Sequence, residues 1–141
     1  MIEGLSHITF IVRDLDRMTQ FLSHIFDAKE VYSSDDQTFS ISREKFFLIN
    51  HLWIAIMEGD PLPSRSYNHV AFKVRKDDFD RYSERVKALG IDVLEGRERI
   101  EDEGRSLYFY DYDNHLFEIH TGTLERRLAS YLQKAREDAI N

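Results

Sequence analysis

The chain of 141 residues contains no cysteine. This absence excludes disulfide bonds, thiolate metal ligands and a cysteine nucleophile. No run of 18 apolar residues occurs, so the sequence predicts no membrane-spanning helix. Residues 1–4 lack the basic start of a signal peptide, and no apolar segment of the kind that continues one follows them. We therefore expect a cytoplasmic protein.

Clusters of basic residues are also missing, and the formal net charge is -7. This charge makes a nucleic-acid partner unexpected, because such partners require a basic patch or stripe. A small anion remains a suitable ligand if several arginines lie close together and outweigh the negative potential of the whole protein at that place. Hydrophobic residues make up 42% of the chain and aromatic residues 13%, which is enough to fill the core of one compact domain.

The sequence contains an internal repeat that carries a histidine in each copy. The segment SHITFIVR at 6–13 returns as NHVAFKVR at 68–75, an offset of 62 residues. Such a repeat indicates two copies of one supersecondary module that bury a face against each other. We expect a first module over 1–60 and a second over 61–141, together forming one domain.

Each copy predicts a βαβββ module, because alternating apolar segments give strands and segments with a helical period give helices. The fold class expected is α+β, with curved, mostly antiparallel sheets around a cleft. Asp14 is a suitable N-cap for the first helix, which follows it directly. The apolar face of the last helix, formed by Leu124, Leu128, Tyr131, Leu132 and Ala135, is predicted to pack inward. Strands are predicted at 5–12, 30–33, 38–42, 46–49, 53–57, 68–74, 91–94, 106–110 and 116–120, and the second and last helices at 78–89 and 124–136.

Strand alternation places three metal-ligating side chains on equivalent faces. Side chains alternate between the two sides of a strand, so His7, His69 and Glu118 all lie on the faces away from the helices. If the sheets curve into a cleft, the three converge. Two imidazoles and a carboxylate suit Mn, Fe(II), Zn, Co or Ni. Three protein ligands leave positions open for water and substrate, as in catalytic sites.

The pattern alone also fits a structural alternative, in which the histidines are duplicated hydrogen-bonding residues and Glu118 is an exposed strand residue. His120 shares the face of Glu118 and is the second candidate for a ligand. Aligning Gly59 with Gly122 places Ala55 opposite Glu118, so the first copy lacks a fourth ligand.

Several segments along nearly the whole chain match one known group of enzymes. They are GLSHITF (4–10), SREKFFL (42–48), YNH (67–69), EGRSLYFYD (103–111), DNH (113–115) and EIHTGTL (118–124). Together they resemble the FosX-type fosfomycin resistance hydrolases, which are part of the vicinal oxygen chelate superfamily with the glyoxalases and extradiol dioxygenases.

The resemblance implies a homodimer with paired modules, either exchanged between subunits or not. It implies a Mn(II) site at His7, His69 and Glu118 and a catalytic carboxylate at Glu44. Thr9 would bind substrate, and Thr9 and Tyr108 would either donate hydrogen bonds or protonate the alkoxide formed when the epoxide opens. The remaining substrate contacts implied are Trp53, Tyr67, Arg99, Ser106, Tyr108 and Arg127.

Glu44 decides the reaction class that the resemblance implies. A carboxylate within reach of a water acts as a general base, which favours a hydrolase that opens fosfomycin to a diol without a thiol cofactor. Composition alone favours an exposed residue in the charged turn around Glu44. The alternatives are a thiol transferase that uses glutathione or bacillithiol, a drug-binding protein of the same superfamily, and an extradiol dioxygenase.

Overall fold

Two four-stranded sheets and three helices make up the structure, a computed structural model that describes residues 1–94 and 104–141. No helix in these two ranges is both long and apolar enough to cross a membrane. The elements are β1 (His7–Val12), α1 (Leu15–Phe26), β2 (Lys29–Ser33), β3 (Glu44–Ile49), β4 (Leu52–Glu58), β5 (His69–Lys73), a 3-10 turn (Lys76–Asp78), α2 (Phe79–Ala88), β6 (Val93–Leu94), β7 (Ser106–Tyr110), β8 (Leu116–His120) and α3 (Leu124–Ile140).

The two sheets have the same topology, which confirms the predicted pair of βαβββ units in an α+β fold. Their strand orders are β1-β4-β3-β2 and β5-β8-β7-β6. In each sheet one parallel pair, β1 with β4 and β5 with β8, joins two antiparallel pairs. The register pairs Thr9 with Ala55 and Ala71 with Glu118. Ala55 is therefore the structural equivalent of Glu118, as the alignment of the two copies predicts.

One hydrophobic core lies between the two sheets and the first two helices. Phe21 of α1 packs on Phe109 and Phe117 of the second sheet, with ring centroids 6.0 and 5.4 Å apart. Phe10 of the first sheet lies 5.2 Å from Phe117. Asp14 caps α1, as predicted, by accepting a hydrogen bond from the backbone N–H of Arg17 at 3.0 Å. Because Phe10 and Phe117 face this core, their strand neighbours His7, Thr9 and Glu118 face away from it.

The strand predicted at 38–42 does not form. The segment is a loop between β2 and β3, and its exposed Phe39 and Ile41 retain 71% and 86% of their accessible surface. Ser34 and Glu44 close the loop: Ser34 N–H donates to the Glu44 carbonyl at 3.0 Å, and Glu44 N–H donates to Ser34 Oγ at 2.9 Å. The apolar alternation suggested a strand, but Asp35 turns the chain with a positive φ of 52°, and none of the described strands pairs with the segment.

The prediction that the last helix packs its apolar face inward is wrong. Leu124, Leu128 and Leu132 are 67%, 58% and 54% exposed, and α3 continues to Ile140 instead of ending near residue 136. The reason is that α1 and α2 already cover the core faces of the two sheets. Among the residues that the structure describes, the hydrophobic core includes no side chain of α3.

A buried carboxylate in the β7–β8 turn predicts a pH-dependent stability. Asp113 is buried and accepts a hydrogen bond from the Arg13 N–H at 3.0 Å, yet burial raises the pKa of its carboxyl above the usual 3.8. Because the pKa is higher in the folded state than in the unfolded chain, the free energy of unfolding decreases as the pH rises and the carboxyl ionises. Asp113→Asn keeps the acceptor oxygen, so we expect its thermal unfolding midpoint at pH 7 to equal or exceed that of the parent.

The advantage of Asp113→Asn should disappear near pH 3, where the parent carboxyl is protonated in both states. Thermal unfolding followed by circular dichroism at the two pH values measures this difference. The exposed Asp60 provides a control, since Asp60→Asn should leave the midpoint unchanged at both. A lower midpoint for Asp113→Asn at pH 7 would contradict the assignment.

Candidate active site

His69 and Glu118 form the centre of the site on the second sheet. His69 Nε2 lies 3.1 Å from Oε1 of the buried Glu118, and His69 Nδ1 lies 2.7 Å from the Tyr67 carbonyl oxygen. A carbonyl only accepts hydrogen bonds, so Nδ1 carries a proton and Nε2 is the ring nitrogen that faces the carboxylate oxygen. Ligating histidines often donate their other N–H to a carbonyl in this way. A cation between Nε2 and Oε1 would stabilise the pair, so the arrangement fits a metal ion.

The second oxygen of Glu118 belongs to a hydrogen-bonded series of side chains. Ser106 Oγ donates to Glu118 Oε2 at 2.5 Å and lies 2.6 Å from His120 Nδ1. On the other side of the ring, Arg127 Nη2 lies 3.3 Å from His120 Nε2. The structure therefore brings Ser106 and Arg127, both predicted substrate contacts, to the same site as His69 and Glu118.

Two tyrosines flank His69. The centroids of the Tyr67 and Tyr108 rings lie 4.8 and 5.4 Å from the His69 ring, and they lie 5.6 Å from each other. Tyr108 is buried and sits opposite Glu118 in the strand register, whereas Tyr67 is exposed. Both predicted substrate contacts therefore line this half of the site.

The first sheet carries a separate half-site. The His7 ring lies against Trp53 at a centroid distance of 4.2 Å, and Phe46 meets Trp53 edge-on at 5.1 Å. Thr9 lies on the same exposed face, two residues beyond His7 along β1. Trp53 Nε1 is buried without a hydrogen-bond partner in the part of the chain that the structure describes. A buried donor of this kind requires an acceptor, which a substrate or another chain could supply.

Glu44 lies on this same face of the first sheet. It starts β3 opposite Met57 and is two residues before Phe46, so its side chain shares the side of Phe46 and Trp53. It is 8% exposed. The sequence composition favoured a solvent-exposed turn residue, but Ser34 fixes the Glu44 backbone and the residue is buried.

The two half-sites do not meet within one chain. In residues 1–94 and 104–141, no group of three or more His, Asp or Glu side chains is close enough to hold a metal ion. The structure thus brings His69 and Glu118 together and leaves His7 on the other sheet, with Glu44, Thr9 and Trp53. Arg99 lies outside the described residues. His120 was predicted only as a second ligand candidate, but it contacts Ser106. The available signal was that His120 lies on the same strand face as Glu118.

The chain is similar to known proteins over almost its whole length. The family model for the Glyoxalase/Bleomycin resistance protein/Dioxygenase superfamily matches residues 4–119. The fosfomycin resistance protein FosX of Mesorhizobium japonicum is 66% identical over 129 residues, which are 92% of this chain and 93% of that protein. The metallothiol transferase FosB of Shouchella clausii is 34% identical over 146 residues, with coverage of 100% and 95%.

A solved structure agrees with these relationships. A variant of FosX from Listeria monocytogenes, complexed with Mn(II) and 1S,2S-dihydroxypropylphosphonic acid, matches with a TM-score of 0.85 and 57% identity over 93% of this chain and 99% of that one. The fold, the family model and the identities lead to one assignment. The chain belongs to the FosX-type fosfomycin resistance proteins of the glyoxalase/bleomycin resistance protein/dioxygenase superfamily.

Proposed function

We propose that this protein is a Mn(II)-dependent fosfomycin hydrolase that opens the epoxide with water to a diol and so confers resistance. The observation that carries the proposal is the buried carboxylate of Glu44 on the face that holds His7 and Trp53. The diol phosphonate bound to the Listeria relative supports it, because water addition to a propylphosphonate epoxide yields such a diol.

His7, His69 and Glu118 would hold the metal. The nitrogen and oxygen donors suit Mn(II), and the contact of His69 Nε2 with Glu118 Oε1 at 3.1 Å already pairs two of them. When bound, Mn(II) acts as a Lewis acid that stabilises the negative charge developing on the epoxide oxygen. Three protein ligands would leave room for the substrate oxygen.

A second copy of the chain would complete the site. His7 and Thr9 are exposed on one sheet, and His69 is exposed on the other, both on faces away from the core. In the described part of the chain, β1 and β5 each lie at the end of their sheet and have one edge without a neighbouring strand. We infer a homodimer in which the first module of one chain faces the second module of its partner. Each of the two equivalent sites then contains His7 and Glu44 from one chain and His69 and Glu118 from the other.

Glu44 would act as the general base. Its carboxylate would accept a proton from the water that attacks an epoxide carbon, and this assistance contributes roughly 10²–10⁴-fold to the rate. The Thr9 hydroxyl would pass a proton to the oxygen released by ring opening and be reprotonated from solvent, to which Glu44 would release the proton that it accepted. Burial of Glu44 in the sheet keeps the carboxylate in one position, so the attack becomes a reaction between groups already held in place.

The phosphonate would bind between Arg127 and the hydroxyl groups of Ser106, Tyr67 and Tyr108. A guanidinium presents a planar fork of donors that matches phosphonate oxygens. The unpartnered N–H of Trp53 provides a further donor for an oxygen of the substrate. The guanidinium, the indole and the two phenol groups donate hydrogen bonds, as an acceptor-rich dianion requires, whereas the Ser106 hydroxyl in this structure already donates to Glu118 Oε2. Arg99 remains a proposed contact outside the described residues.

Phosphorus NMR of fosfomycin incubated with the purified protein tests the proposed function. With Mn(II) and water alone we expect conversion to the diol, at a rate unchanged by glutathione or bacillithiol and abolished by EDTA. Heat-inactivated protein with Mn(II) provides the control for spontaneous ring opening. A thiol adduct as the main product would instead identify a transferase. Fosfomycin returned unchanged under every condition would identify a binding protein.

A further inference from the structure

We propose that His120 is a positioning residue that joins the phosphonate-binding side of the site to its metal-binding side. The inference rests on the proposed function for its substrate, but the contacts belong to the structure itself. His120 ends β8 directly opposite Ser106 at the start of β7, and its side chain is largely buried. The ring contacts Ser106 through Nδ1 at 2.6 Å and Arg127 through Nε2 at 3.3 Å.

The chemistry of the partners fixes the direction of these hydrogen bonds. A guanidinium only donates, so Nε2 of His120 is the acceptor and the ring proton lies on Nδ1. Nδ1–H then donates to Ser106 Oγ, and the Ser106 hydroxyl donates to Glu118 Oε2 at 2.5 Å. The series runs in one direction, from Arg127 through His120 and Ser106 to Glu118. Both ring nitrogens are engaged, so His120 has none left to coordinate a metal.

The two ends of this series have different tasks. Arg127 has a long side chain whose ordering costs entropy, so the contact with Nε2 holds the guanidinium ready for the phosphonate. At the other end, the Ser106 hydroxyl occupies Oε2 of Glu118 and leaves Oε1 directed at His69. Residues behind metal ligands that orient them in this way commonly change metal affinity 10–100-fold when they are replaced.

Two amide variants separate the two tasks. An asparagine at position 120 places its amide near the former Nδ1, so His120→Asn keeps a donor for Ser106 and loses the acceptor for Arg127. A glutamine places its amide near the former Nε2, so His120→Gln keeps the acceptor for Arg127 and loses the donor for Ser106. The exposed His51 supplies a matched control, His51→Gln.

The experiment measures binding of Mn(II) to the dimeric protein by electron paramagnetic resonance, and binding of methylphosphonate to the Mn(II)-loaded protein by calorimetry. For His120→Asn we expect methylphosphonate affinity about tenfold lower, from the loss of a hydrogen bond to a charged group, with Mn(II) affinity nearly unchanged. For His120→Gln we expect Mn(II) affinity about tenfold lower and methylphosphonate affinity, at saturating Mn(II), nearly unchanged. In turnover, His120→Asn should raise KM for fosfomycin more than it lowers kcat.

A purely structural role for His120 would lower both affinities together in both variants, and that result overturns the proposal. Affinities equal to those of His51→Gln also overturn it, as does a parent protein that does not bind methylphosphonate. A parent that binds methylphosphonate but does not hydrolyse fosfomycin, with the opposite behaviour of the two variants preserved, would disprove the hydrolase and support the positioning role.

Discussion

Replacing Glu44 with glutamine is expected to reduce the kcat for fosfomycin hydrolysis by about 10²–10⁴-fold, the usual contribution of a general base. Glutamine is nearly isosteric with glutamate but cannot take a proton from water. Glu44 lies on the first sheet in the row of Met57, away from the His7 and Trp53 row, so its replacement leaves the proposed ligands in place. The affinity for Mn(II) should therefore remain close to that of the parent.

Initial rates from phosphorus NMR and Mn(II) titration by electron paramagnetic resonance measure the two quantities on the same sample. The exposed Glu84 on α2 gives a matched control, and Glu84→Gln should retain the full rate. If Glu44→Gln hydrolyses fosfomycin as fast as the parent, Glu44 is not the base. If Glu44→Gln is slow and its affinity for Mn(II) is also lost, the role of Glu44 is structural.

Mixing two inactive variants is expected to restore activity, because each site would take its ligands from two chains. His7→Ala and His69→Ala should each be inactive as homodimers, since each lacks one metal ligand in both sites. In a mixed dimer, one site loses both histidines and the other retains the full set. Statistical exchange in an equal mixture should therefore recover about a quarter of the parent activity, as expected for two equivalent sites in a two-fold dimer.

Co-expression of the two variants with different affinity tags, followed by purification of the mixed dimer, tests this expectation directly, because the pure mixed dimer has one complete site of two and should show about half of the parent activity. The pair His69→Ala and Glu118→Ala serves as the control, because both substitutions affect the second module and no mixed site is complete. Activity in that control would refute the exchange of modules. So would a mixed dimer of His7→Ala and His69→Ala that remains inactive while it folds and associates like the parent.

The sequence predicted the features of the fold that depend on local periodicity. The repeat around His7 and His69 established two modules, and strand alternation correctly assigned which side chains face the core. The register confirmed that Ala55 is the counterpart of Glu118. These successes share a cause: the side-chain period of a strand is two, so a few residues determine a whole face.

Features that depend on tertiary contacts could not be predicted from local periodicity. The alternation at Phe39 and Ile41 resembled a strand, but a strand also needs a neighbour with which to pair. The apolar stripe of α3 at Leu124 and Leu128 indicated a buried face without showing which surface would cover it. The burial of Glu44 and the hydrogen bonds of its backbone with Ser34 were not evident from a charged turn, because they depend on residues that are distant in sequence.

The presence of Ala55 where the second copy has Glu118 has a consequence for the number of protein ligands at each metal site. A dimer contains four half-sites that pair into two sites, so each site would hold four protein ligands if both halves kept a histidine and a carboxylate. With a methyl group in place of the carboxylate, a pairing of unlike halves retains a complete donor set and a pairing of two first halves does not. Under the proposed exchange, a dimer binds two ions, one for each chain, and each ion has vacant positions on which a substrate can compete with water.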